Sequence, residues 1–286
     1  MEIIKIKLPS EYTLVISGDL HIGSPNVNED HIKEMVEHVA TTKNCFLTNI
    51  GDNVEAIAPN DKRFTFSDTK YQTTQQQADT FIKLMTPIKH KMMVIGIGNH
   101  EIKLQNSFDI AKYICDALGT RWGGYCYKLE MYNYTTDKLM HKLYFTHGYG
   151  SITSNAKDDI QIKANMDAAL KRKLSISGHS DVIAMYMGHI HRFILVEPTI
   201  HNKLQLTTEN GKIKQHYRTV TDQTASEIPP EARWYSSTGS MMKTYSSANT
   251  GYISYAEMAG YAPAELGYLI QTVENEKVVK VERVIL

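Results

Sequence analysis

Through the first 120 residues, short apolar runs alternate with longer segments of helical periodicity, and each run ends in a glycine beside a polar residue. The runs cover residues 12–17, 45–50 and 92–97. Between and after them lie Ile32, Met35, Val36 and Val39, then Ala78, Phe81, Ile82 and Met85, then Ile110, Ile114 and Leu118. Spacings of three and four put each set on one helix face, whereas the runs are too short for helices. This alternation predicts βαβ units and a parallel sheet. Pro87 is placed to stop the second helix and Ser107 to cap the third. Ligands of such sheets bind beyond the carboxyl ends of strands, where the glycine-polar endings fall.

After Gly119 the pattern changes. Tyr125, Tyr127, Leu129 and Met131 alternate with more polar neighbours, and further strands are expected at 139–145, 182–187 and 193–196, with a helix over 154–172. Asn210-Gly211 is a type I′ turn signal for a hairpin. Residues 269–273 and 278–285 flank a Glu-Asn-Glu turn, and 221–232 reads as a polar loop. The second half is therefore expected to form a largely antiparallel sheet facing the first. There is no internal repeat and no low-complexity segment. Both halves supply polar strand endings, so a single domain over 1–286 is expected, with core motifs at 15–192 and a β-rich completion at 193–286.

With 286 residues, 42% of them hydrophobic, the chain can bury a sizeable core. Its apolar runs fall far short of the roughly 20 residues that span a bilayer, so no membrane partner is expected. The start, Met1-Glu2-Ile3-Ile4-Lys5, lacks the apolar stretch of a secretory signal. Cys45, Cys115 and Cys126 are too scattered for a disulfide framework, and a cytoplasmic location is the simplest expectation. Lys plus Arg equals Asp plus Glu, 31 each, which excludes a global basic field for nucleic acid. Lys171-Arg172-Lys173 is read as a solvated helix end complementing the dipole.

Five strand endings carry chemistry: Asp19-Leu20-His21, Gly51-Asp52-Asn53, Gly98-Asn99-His100-Glu101, His147-Gly148 and Gly188-His189-Ile190-His191. Carboxylate and amide oxygens with imidazoles suit Mn²⁺, Fe or Zn²⁺. Any one of these motifs alone would more often be a turn. A lone histidine is more often core or surface than ligand, and His31, His38, His90, His141, His201 and His216 have no motif around them. His179, in Gly178-His179-Ser180, precedes its strand instead of ending it and is read as structural.

All five motifs in this order resemble the calcineurin-like metallophosphoesterase family over residues 15–192. The resemblance implies an α/β (α+β) fold, a four-layer α/β/β/α sandwich of two facing mixed sheets, with a metal site at the strand C-terminal edge. It implies two divalent ions, Mn²⁺ first, with Fe, Zn²⁺ or Ni²⁺ as alternatives. Asp19, His21 and His191 would hold one ion, Asp52 would bridge, and Asn99, His147 and His189 would hold the second. His100 would assist the leaving oxygen, oriented by Glu101, and a metal-bridging hydroxide would attack. Arg192 is a candidate phosphate contact. Lys62 and Arg63, with Phe64 and Phe66 on the segment 58–66, are candidates for gripping phosphate or stacking a base.

The segment Gly51-Asp52-Asn53-Val54-Glu55-Ala56 departs from the Gly-Asp-x-x-Asp-Arg form of the protein Ser/Thr phosphatases and lacks their phosphate-binding arginine. The motifs look closer to the nuclease and small phosphodiesterase branches. The expected function is hydrolysis of a nucleic-acid or nucleotide phosphodiester. A phosphomonoesterase or nucleotidase is the alternative within the enzyme class, and a non-catalytic metal-binding scaffold the alternative outside it.

Overall fold

The computed structural model describes residues 1–57, 70–104, 109–199, 203–218, 222–246 and 253–286. Lys62, Arg63, the rest of 58–66 and Ser107 lie outside the described residues.

The chain opens with strands β1 (Glu2–Leu8) and β2 (Tyr12–Ser17), then helix α1 (Glu29–Thr41). Glu29 and Asp30 in the first turn of α1 complement its dipole, and Ile32, Met35, Val36 and Val39 are its buried stripe. At its other end Lys91 Nζ donates to the carbonyls of Val39 (2.6 Å), Ala40 (3.0 Å) and Thr42 (3.0 Å), satisfying groups a helix end leaves open. After β3 (Cys45–Asn49), helix α2 (Thr74–Met85) begins at a capping box between Thr73 and Gln76. Pro87 does stop α2, but the chain tightens into a 3-10 turn over Thr86–Lys91 before β4 (Met92–Gly96). A short α3 (Asn99–Ile102) leads to α4 (Ile110–Leu118), capped by Asp109, whose side chain accepts from Lys112 N. Gly119 ends α4 at φ 66°, a left-handed turn that favours glycine.

Strands β5 (Arg121–Gly124), β6 (Cys126–Asn133) and β7 (Leu139–Thr146) precede α5 (Asp159–Ser175). Then come β8 (Ala184–Met187), β9 (Ile194–Val196), the hairpin β10 (Lys203–Glu209) and β11 (Lys212–Arg218), β12 (Trp234–Ser237), α6 (Tyr255–Met258), β13 (Gly267–Glu274) and β14 (Lys277–Ile285). Lys171-Arg172-Lys173 does fall near the end of α5, with Arg172 and Lys173 in its last turn.

Two six-stranded mixed sheets result, ordered β14-β13-β2-β3-β4-β5 and β1-β6-β7-β8-β12-β9, with β10-β11 as a separate ribbon. The first carries the expected parallel core, β2 through β5. The second is not largely antiparallel: β1 with β6, β7 with β8 and β8 with β12 pair in parallel. The C-terminal strands β13 and β14 join the first sheet, antiparallel to β2, and β1 supplies an edge of the second. Side-chain alternation fixes which face of a strand is buried but not its neighbour, so these pairings were invisible in the pattern.

One apolar cluster joins the sheets, drawing Ile4, Leu129, Leu143 and Phe145 from the second and Leu14, Ile16, Leu269 and Val281 from the first. Tyr127, Phe145 and Tyr186 stack within it, centroids 5.0 and 5.1 Å apart. The tyrosine hydroxyls reach polar partners on the other sheet, Tyr127 to Thr48 (2.9 Å) and Tyr186 to Gln271 (2.6 Å). A second cluster packs α1, α2 and α4 on the first sheet, and a third packs α5 on the second. Among the described residues no helix is long and apolar enough to cross a membrane.

His141 is fully buried between Tyr12, whose hydroxyl is 2.8 Å from Nε2, and the Glu276 carbonyl, 2.9 Å from Nδ1. Burial pushes the imidazole down to about 4. Between an unfolded value near 6.5 and that folded value, the unfolded chain binds a proton that the fold refuses. Stability from this group is full above pH 6.5 and is lost as pH falls toward 4, by up to about 3 kcal/mol. Urea unfolding at pH 7 and 4.5 should show a smaller acid loss in His141→Gln than in the parent; equal losses would refute the assignment.

Candidate metal centre

Asp19, Asp52 and Asn99 follow β2, β3 and β4, three parallel neighbours whose carboxyl ends share one edge. His147 follows β7, and His189 and His191 follow β8, its parallel neighbour in the other sheet. Each sheet therefore brings its own set of donors to an edge, and the sets meet.

Turning those donors inward bends the backbone into the left-handed region at Asp19 (φ 53°), His21 (49°), Asp52 (50°), His189 (71°) and His191 (49°). Non-glycine residues there cost on the order of 1–3 kcal/mol each. The loops are cross-tied to hold this: Asp19 N donates to Gly51 O (2.9 Å) and His21 N to Asp52 O (3.0 Å). The buried Glu101 carboxylate accepts from the backbone N–H groups of Asn53 (2.6 Å), Gly98 (2.8 Å) and Asp52 (3.1 Å). Gly98 must lack a side chain, because a Cβ there would lie 2.0 Å from Asp52 Oδ1.

Three groups of donors result: Asp19, His21 and His191; His21, Asp52 and His100; and Asp52, His147 and His189. His191 Nε2 is 3.0 Å from His21 Nε2 and 3.4 Å from Asp19 Oδ1. Asp52 Oδ2 lies 3.8 Å from His21 Nε2 and 3.2 Å from His147 Nε2, so one carboxylate stands between the outer groups. Asn99 Oδ1 closes the last group, 3.0 Å from His147 Nε2 and 2.8 Å from His189 Nδ1. Asp19, His21, Asp52 and His147 are buried, while His189 and His191 form the half-buried side.

The electrostatics call for positive charge. Burial works against ionising Asp52, but the hydrogen bond and charge of His147, with His21 behind it, hold the carboxyl far below its usual range. Burial also opposes charge on His21, yet Glu55 (Oε2 2.8 Å from Nδ1) outweighs it and pushes the imidazole up to about 9. Oxygen and imidazole donors converging this closely, with no thiolate, fit a divalent cation.

Among the sequence-predicted residues, Asp19, His21, Asp52, Asn99, His147, His189, His191 and His100 come together. Glu101 does not orient His100: its carboxylate accepts from the backbone amides of Asp52, Asn53 and Gly98. His100 Nδ1 instead faces the Glu55 carbonyl oxygen at 2.5 Å, and burial followed by the nearby His21 charge lowers its pKa. Arg192 is exposed, its guanidinium 4.0 Å from Met166 Sδ. His179 packs on Tyr144 with centroids 4.4 Å apart, away from the donor groups, as read. Sequence reasoning missed Glu55, which holds one histidine by its carboxylate and another by its carbonyl. Its signal was the need of any ligating imidazole for an acceptor on its other nitrogen, met here by an acid three residues after Asp52.

No protein-family model matches this chain, and no curated protein matches it. Among solved structures it is similar to wild-type Vps29 from Entamoeba histolytica complexed with Zn²⁺. The two align over 96% of this chain and 98% of that one, at 11% identity and a TM-score of 0.35.

Removing the outer support of a ligating histidine typically weakens metal affinity about 10–100-fold. Glu55→Ala should lower Mn²⁺ affinity by that amount in calorimetric titration while leaving the far-UV spectrum intact. Unchanged affinity would show that the carboxylate does not hold His21 for a metal.

Proposed function

We propose that this chain is a two-metal phosphoesterase of the calcineurin-like metallophosphoesterase type, nearest its nuclease and phosphodiesterase branch, acting on a nucleotide or nucleic-acid phosphodiester. The observation that carries this reading is the Asp52 carboxylate between the Asp19–His21–His191 group and the His147–His189 group, with His100 beside it. Asp19, His21 and His191 would hold one ion, Asn99, His147 and His189 the other, and Asp52 both, with Mn²⁺ ahead of Fe, Zn²⁺ and Ni²⁺. Such a pair, when bound, clamps phosphoryl oxygens and lowers the pKa of a water.

The remaining steps belong to the side chains. The Glu55 carbonyl fixes a proton on His100 Nδ1, so Nε2 is the atom that would face the leaving oxygen and would give it a proton when the ring is doubly protonated. Glu55 also orients His21, and Glu101 locks the Asp52 loop by its amides. Substrate would enter over His189 and His191, the less buried side, and the exposed Arg192 would meet a phosphate oxygen. In this reading residues 1–286 form one domain, a four-layer α/β/β/α sandwich with the metals at its strand C-terminal edge. The three apolar clusters support that order of layers. Free Cys45, Cys115 and Cys126 fit a reducing, cytoplasmic setting.

The Mn²⁺-loaded protein should hydrolyse bis-p-nitrophenyl phosphate, Asp52→Ala should abolish turnover, and His100→Gln should cost about 10²–10⁴-fold in kcat. Faster hydrolysis of the monoester p-nitrophenyl phosphate would favour a nucleotidase. No turnover with Mn²⁺, Fe, Zn²⁺ or Ni²⁺, despite two bound equivalents, would leave a metal-binding scaffold.

A further inference from the structure

The buried stripe of α2 is Gln77, Ala78, Phe81 and Met85, and Gln77 is only 2% exposed. A primary amide among apolar side chains costs free energy unless it is hydrogen-bonded. Here both of its ends are: Oε1 accepts from Ala56 N at 2.9 Å, and Nε2 donates to Tyr71 O at 3.1 Å. Reversing the amide would set donor against donor and acceptor against acceptor, so a single orientation satisfies both contacts. The side chain uses the space that Gly23 leaves, where a Cβ would lie 2.4 Å from Gln77 Cδ.

Ala56 is a residue in need of support. It is buried in left-handed backbone, φ 48°, and has no side-chain group to hydrogen-bond its own turn. Its N–H belongs to the Glu55–Ala56 peptide unit, whose carbonyl oxygen is the one 2.5 Å from His100 Nδ1. A peptide unit is planar, and in its trans form the N–H and C=O point opposite ways. Holding the N–H therefore aims the C=O. Gln77 Oε1, that peptide and the His100 ring form one hydrogen-bonded chain, and the bonds of such a chain polarise one another. This route is separate from the one by which the Glu55 carboxylate holds His21.

We infer that Gln77 is a positioning residue for His100: through the Glu55–Ala56 peptide it keeps the proton on Nδ1 and leaves Nε2 to the metal centre. The inference rests on the phosphoesterase reading for its effect on rate. The tautomer of His100, by contrast, is set in the resting protein whether or not it turns over.

Two measurements separate these. In ¹⁵N NMR of the Zn²⁺-loaded full chain, which is diamagnetic, the parent should carry the His100 proton on Nδ1. Gln77→Leu, of similar volume but without the acceptor, should populate the Nε2 tautomer as well. Gln77→Glu, held protonated by burial, keeps an oxygen for Ala56 N and a hydroxyl for Tyr71 O and should restore the parent pattern. In turnover of bis-p-nitrophenyl phosphate at saturating Mn²⁺, Gln77→Leu should lower kcat on the order of 10²-fold. The same substitution should cost little when His100→Gln is already present, because both changes act through one ring. Equal losses in the two backgrounds, or a His100 tautomer indifferent to Gln77→Leu in a protein that hydrolyses the ester, would overturn the role and keep the phosphoesterase. His100 protonated on Nε2 in the parent would overturn it too, even if Gln77→Leu fails to fold. A tautomer that follows Gln77 in a protein with no turnover under any metal would overturn the phosphoesterase reading and keep the role.

Discussion

The arrangement depends on two buried carboxylates that face one another's loops. Glu101 accepts the amides of Gly98, Asp52 and Asn53, and Asp52 Oδ1 in turn accepts from His100 N at 2.9 Å. The loops after β3 and β4 are thereby locked as a pair, at the cost of burying two acids side by side. That cost is visible in Glu101, whose pKa is raised by burial and by the charge of Asp52. Hydrogen bonds to the charged form offset it for Glu101, and imidazoles do so for Asp52. Each donor group needs Asp52 or an imidazole that faces it, so the site stands or falls with this pair.

Around that pair the backbone carries strain where donors turn inward. Left-handed φ values recur at Asp19, His21, Asp52, His189 and His191, and cross-loop hydrogen bonds hold them. Such strain concentrates at functional sites because only a surrounding structure that over-determines it can keep it. Here the over-determination comes from two sheets, joined through their apolar faces and through the hydroxyls of Tyr127 and Tyr186. A slip of one sheet against the other would separate Asp52 from His147, so core packing and donor geometry are one constraint.

Much of the fold was readable because period and length are local properties. The stripes Ile32–Met35–Val36–Val39 and Ala78–Phe81–Met85 became α1 and α2, and Asn210-Gly211 became the turn of the β10–β11 ribbon. Pairing was not local. Ile4, Ile6 and Leu8 alternate with charged residues and form β1, yet nothing in that run names β6 as its partner. Likewise nothing in β13 and β14 says that they join the first sheet instead of the second.

The same division holds at the site. The sequence by itself determined the donor types and their order, because a glycine-polar ending behind an apolar run marks where a strand releases its ligand. Only the tertiary structure decided how the neighbours are used. It took Glu101 from His100 and gave it to backbone amides, and it put Glu55 on both His21 and His100. The physical reason is that a motif fixes residues along one chain segment, whereas a hydrogen bond is chosen among all acceptors that folding brings within reach.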